Sequence, residues 1–234
     1  GGIGTPADRQ LSHMIAEMES GSRAILTPTG QAAIAQVMCA LLGSGDHALV
    51  VDSAAFSTKS FLCDNYLSNF GVEIEYYSPY ITVIELKQKF KSSTKVIFLE
   101  SPGSYTYDIQ NLPAIVSLAR EAGITTVFDN TWSASKFLKP LEWGIDIVVT
   151  SLGKYHFGIS GISMGAIIVN DSALFYYLQS KSLSVGNRVS QLDCQMAVKS
   201  LDSLEHRLNW QQEIAYKVAE ALLQVQEIET VIFP

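Results

Sequence analysis

The chain has 234 residues, of which 47% are hydrophobic and 17% charged, a balance that supports a full core and excludes a disordered chain. Its net charge of -7 and the lack of any basic stripe exclude a surface built for nucleic acid or an anionic membrane. Cys39, Cys63 and Cys194 are scattered and odd in number, which excludes a disulfide framework or a CxxC metal pattern and fits a reducing compartment. The opening GGIGTPADRQ has neither the basic nor the apolar region of a signal peptide, and no apolar run reaches bilayer length. A cytoplasmic protein is the expectation.

Leu11, Met14, Ile15 and Met18 recur at helical spacing. Ala24-Ile25-Leu26 reads as a short strand broken at Thr27-Pro28-Thr29-Gly30, and Gln31 to Leu42 reads as a helix ending at Gly43. Further short runs follow at Ala48 to Val51, Val72 to Tyr76, Val96 to Leu99, Thr125 to Phe128, Ile145 to Val149 and Ala166 to Val169. They are rich in β-branched and aromatic residues, and helical stretches such as Pro113 to Glu121 lie between them. That alternation predicts an α/β fold, a mostly parallel sheet with helices on both faces. From Ser172 onward helical character dominates, with Leu201, Leu204 and Leu208 on one face, and Val231-Ile232-Phe233 reads as the beginning of another strand. No repeat or linker interrupts the chain, which reads as one domain with a helical tail.

In an open α/β sheet, ligands sit beyond the carboxyl ends of the strands, so polar residues just after the apolar runs are the candidates. Four places qualify. Thr27-Pro28-Thr29-Gly30-Gln31 leads into a helix, whose start either caps and turns or offers backbone N–H groups to a phosphate. Asp129-Asn130-Thr131-Trp132 places an acid at a strand end, either a helix N-cap or a carboxylate for a cationic ligand nitrogen. Ser151-Leu152-Gly153-Lys154 places an amine after a strand, either a solvated loop lysine or one that forms an imine with a carbonyl cofactor. Glu100-Ser101-Pro102-Gly103-Ser104, after Val96 to Leu99, is the fourth place and also reads as an ordinary turn. Gly1, Gly2 and Gly4 do not follow a strand and are no dinucleotide fingerprint, while Gly158, Gly161 and Gly165 read as turn residues before the next strand. His13, His47, His156 and His206 lack metal-ligand spacing, and no GxSxG elbow is present.

Taken together and in order, GDHALVVDSAAF, KVIFLESPGS, VFDNTWSASKFLKPLEWGIDIVV and the Lys154-Tyr155 pair resemble the Cys/Met-metabolism family of fold-type I pyridoxal 5'-phosphate (PLP) enzymes. The resemblance runs from Gly4-Thr5-Pro6 to Pro234, and ESPGS and DNTW favour its cystathionine β-lyase branch over the γ-branches. It implies a seven-stranded PLP-binding large domain over residues 1–205, and a connecting helix over 206–234 toward a further C-terminal domain. Lys154 would hold the cofactor as a Schiff base and act as the general base. Asp129 would keep the pyridine nitrogen protonated. The N–H groups of Gly30 and Gln31 and the Ser151 hydroxyl would grip the phosphate, with Gly153, Thr131 and Ser104 lining the site and Phe56 stacking on the ring.

The implied activity is carbon–sulfur β-elimination, giving homocysteine, pyruvate and ammonia from cystathionine in methionine biosynthesis, by a cytoplasmic homodimer or homotetramer. A γ-lyase or γ-synthase, or a degenerate member acting in binding or assembly, is the alternative. Departures from the family pattern are Phe56 for tyrosine, Gly153 for threonine, Ile159-Ser160-Gly161 for His-Ser-Asp, and Gly2 at an arginine position. The family's substrate-carboxylate arginine would lie beyond residue 234, so the chain reads as part of a longer polypeptide.

Overall fold

A computed structural model of the chain describes residues 4–233. Seven strands form one sheet: β1 (Arg23–Thr27), β2 (His47–Val51), β3 (Glu73–Tyr77), β4 (Thr94–Glu100), β5 (Thr125–Asp129), β6 (Ile147–Ser151) and β7 (Gly165–Val169), in the order β1-β7-β6-β5-β4-β2-β3. Only β7 runs against its neighbours, pairing antiparallel with both β1 and β6. Residues of β2, β7 and most of β4 to β6 are buried on both faces, which explains their unbroken runs of Val, Ile, Leu and Phe. Burying one such side chain contributes about 1.5–3 kcal/mol, so the sheet is the rigid base on which the loops are held.

The helices are α1 (Pro6–Met18), α2 (Gly30–Leu41), α3 (Val83–Gln88), α4 (Leu112–Ala122), α5 (Ser172–Ser184), α6 (Gln191–Leu201) and α7 (Leu204–Leu222). Their starts follow local chemistry. Thr5 and Asp8 close a capping box on α1 with Pro6 in its first turn, and the Thr29 side chain accepts the Ala32 N–H to start α2. Gly123 ends α4 in the left-handed conformation, φ 66°, that favours glycine.

One element carries no sequence signal and another differs from expectation. Ser57–Leu67 forms an 11-residue π-helix, wound too loosely to leave a 3.6-residue apolar period. Val231-Ile232-Phe233 is not a strand: it pairs with no strand among the described residues, and the Phe233 ring packs on Tyr216 of α7, 5.0 Å between centroids. The helical tail is anchored rather than free, because Leu204 and Leu208 bury against Ala134.

Candidate active site

The chain passes from β2 outward to β3 and then returns to β4 on the other side of β2, so the connections diverge between β2 and β4. A crevice forms where connections diverge, beyond the carboxyl ends of the strands. All four predicted places open onto that edge of the sheet, because β4, β5 and β6 are parallel neighbours and β1, reached through the reversed β7, points the same way as β6.

Gly30 is pressed against Ser151: a Cβ on Gly30 would lie 2.5 Å from Ser151 Cβ and 2.8 Å from its Oγ. Gly165, the first residue of β7 rather than a turn residue, supports the same contact, since a Cβ there would meet the Thr29 carbonyl at 2.4 Å. The amino end of α2 therefore abuts the end of β6. The Gly30 and Gln31 N–H groups belong to the first helical turn, which has no intrahelical acceptors, and they sit at the positive end of the helix dipole. This cradle, which a Cβ would fill, fits a phosphate beside the Ser151 hydroxyl. The Gln31 side chain is turned elsewhere, toward the Ser57 carbonyl at 3.4 Å.

Asp129 ends β5, and its buried carboxylate accepts the Thr131 N–H at 2.9 Å through Oδ1. The Thr131 hydroxyl accepts the Ser151 N–H at 2.8 Å, so one short chain of bonds ties the acid to the phosphate side of the site. Burial pushes the Asp129 carboxyl upward, while the Thr131 contacts and the Lys154 ammonium pull it down. A buried acid at the end of a strand is suited to a cationic ring nitrogen.

Lys154 stands exposed in the turn after β6. The Leu152 and Gly153 N–H groups both donate to the Met164 carbonyl, at 2.9 and 3.2 Å. A Cβ on Gly153 would approach the Ile162 carbonyl oxygen to 3.0 Å, so glycine relieves crowding where the family pattern carries threonine. Phe56 lies at the start of the π-helix, 57% exposed, its ring edge-on to Phe61 at 5.3 Å. Ile159 is exposed on a single 3-10 turn, and Gly161 closes that turn at φ 70°. The Gly2 position lies outside the described residues.

Glu100 is a site residue that sequence reasoning left unassigned. It pairs with Asp129 across β4 and β5, accepts the Ala55 N–H at 2.9 Å, and takes the Ser104 hydroxyl at 2.5 Å. It thereby clamps the loop that carries Phe56 to the ESPGS turn, and it occupies the Ser104 hydroxyl. Burial, then the neighbouring Asp129 charge, push Glu100 up to about 7. Its position at the end of an apolar run was the available signal, but its clamp depends on β2 lying beside β4, which sequence order conceals.

A family model for Cys/Met metabolism PLP-dependent enzymes matches residues 2–234. The chain belongs to that family. It is 33% identical over 232 residues to an L-alanine/L-glutamate racemase of Wolbachia pipientis wMel, covering 99% of this chain and 56% of that protein. It is also 33% identical over 233 residues to a cystathionine beta-lyase of Haemophilus influenzae, covering 99% of this chain and 58% of that one. The crystal structure of metB from Corynebacterium glutamicum superposes with a TM-score of 0.92 at 26% identity, over 97% of this chain and 58% of its own. The chain thus spans 56–58% of the length of these relatives.

Proposed function

We propose that the complete protein is a PLP-dependent carbon–sulfur β-lyase acting on cystathionine or a related thioether amino acid. The observation that carries this reading is the convergence, on one sheet edge, of an anion cradle at Gly30-Gln31-Ser151, a buried carboxylate at Asp129 and an exposed amine at Lys154. Bound there, PLP would supply an electron sink for the charge released at the substrate Cα.

The chain's own residues then divide the work. Lys154 would hold the cofactor and, as a free amine, would take the substrate Cα proton as general base. Asp129 holds a proton on the ring nitrogen from a buried position, where the ion pair is little screened by water. The first turn of α2 and the Ser151 hydroxyl orient the phosphate. Loss of the β-thiolate and hydrolysis would yield pyruvate and ammonia. Glu100 ties Ala55, and with it the loop that carries Phe56, to the end of β4.

The racemase relative makes amino-acid racemisation the second reading. Both reactions begin with removal of the Cα proton, but racemisation also returns one to the opposite face. Phe56, where the family pattern carries tyrosine, has no proton to give for that return. Product analysis with cystathionine tests this: pyruvate is expected. 2-Oxobutyrate would indicate γ-elimination, and formation of D-amino acid from L-alanine without pyruvate from cystathionine would replace the lyase reading by the racemase one.

A further inference from the structure

His156, two residues beyond Lys154, is fully buried, and its Nε2 lies 3.1 Å from the Ser135 hydroxyl. Ser135 Oγ donates to Glu19 Oε1 at 2.6 Å, and Glu19 Oε2 accepts from Asn130 Nδ2 at 2.8 Å. Asn130 follows Asp129 directly. These four side chains therefore make a continuous polar path beneath the site, from the lysine turn to the acid strand, with no member more than 2% exposed. Lys139 donates to the carbonyls of Met18 and Ser135, and Arg207 of α7 donates to the carbonyls of Tyr155 and His156, at 2.6 and 3.1 Å.

Two features separate this path from ordinary core packing. Ala134 and Ser135 both have positive φ, 50° and 60°, a left-handed conformation costly for non-glycine residues that persists only where its surroundings enforce it. That bend is what delivers the Ser135 hydroxyl to both Glu19 and His156. In addition, His156 Nδ1 has no partner among the described residues, so a leucine-like side chain would avoid the penalty of an unpaired buried nitrogen. A buried histidine held at such a cost indicates a use for the Nε2 contact.

We propose that Ser135 and His156 form a strut, positioning the Lys154 turn against the Asp129-Asn130 strand end. This rests on the cofactor site proposed above and adds two positioning residues to it. Neither touches the reacting atoms. They act through the backbone on which Lys154 and Asp129 stand, and Glu19, Lys139 and Arg207 are the charged groups facing them.

The complete protein would be titrated with PLP, following the visible band, as wild type, Ser135→Ala, His156→Leu, His156→Gln and the Ser135→Ala/His156→Leu double variant. Removing either strut residue is expected to weaken PLP binding roughly 10-fold, as loss of a supporting shell does, and to move the pH midpoint of the band. The double variant should lose no more than the worse single, because one path is broken once. His156→Gln, whose amide can replace Nε2, should recover most of the loss. In the cofactor-free protein, amide exchange over residues 152–157 should quicken in Ser135→Ala. A His156→Leu protein with wild-type affinity, midpoint and exchange would overturn the strut. A wild type with no visible band would instead contradict the cofactor site, and unchanged exchange in Ser135→Ala would overturn the strut whatever PLP does.

Discussion

Gly30 and Ser151 touch so closely that no side chain can be placed between them: a Cβ on Gly30 would come within 2.5 Å of Ser151 Cβ. This single contact joins the start of α2 to the end of β6 and sets the width of the phosphate cradle. Gly30→Ala should therefore cost about 1–3 kcal/mol through overpacking. It should also weaken phosphate binding as the helix is pushed outward. Thermal melts and PLP titration read the two effects, and a stable variant with full affinity would refute the close-contact account.

Replacing Asp129 separates holding the cofactor from using it. Asp129→Asn preserves shape and the Thr131 contact but cannot hold a ring proton, so PLP should stay bound while turnover falls about 100- to 1,000-fold, the order for removing one preorganised electrostatic partner. Spectroscopic PLP content alongside kcat checks this. Equal loss of both would mean that Asp129 is structural.

The buried Glu19 gives stability a pH dependence of definite sign. Burial pushes its carboxyl from 4.5 up to about 7, against the Ser135 and Asn130 hydrogen bonds. Between those values the folded state keeps a proton that the unfolded chain has released, so Glu19's contribution is fully present below the lower value and is lost as pH rises toward the upper. His156, held down from 6.5 to about 4 by burial, works in the opposite direction over largely the same range, its contribution rising with pH between those values. Comparison with Glu19→Gln isolates the first effect. The stability of wild type minus variant, from urea unfolding, should fall between about pH 4.5 and about pH 7.

Arg207 secures the lysine turn to α7 through the Tyr155 and His156 carbonyls. Arg207→Ala leaves both acceptors with a lost charged donor, for an expected cost of about 1.5–3 kcal/mol, reduced by the partial exposure of the site. Hydrogen exchange should quicken at residues 154–157 and remain unchanged in β2.

Phe56→Tyr returns a phenol to the entrance of the site without disturbing buried structure, since Phe56 is largely exposed. Substrate-amine exchange with the cofactor, followed by stopped-flow absorbance, should become faster, with no loss of thermal stability.

The sheet and the corners of the site were legible because parallel strands buried on both faces read as apolar runs, and their ligand-facing residues come next in the chain. Val96 to Leu99 pointed to Glu100-Ser101, and Thr125 to Phe128 pointed to Asp129. The reversed direction of β7 was not legible, because an apolar run carries no sign. Val231-Ile232-Phe233 has strand composition without a partner, so pairing rather than propensity decided it. Glu19 and Ser135 lie 116 residues apart, and His156 has no recognisable spacing to either, so their meeting is purely tertiary.

The central claim is that Lys154 carries PLP opposite Asp129. Borohydride reduction of the PLP-loaded complete protein, followed by peptide mass spectrometry, tests it most directly. The account predicts a phosphopyridoxyl group on Lys154, absent in Lys154→Ala. An unlabelled Lys154, or label confined to other lysines, would contradict it.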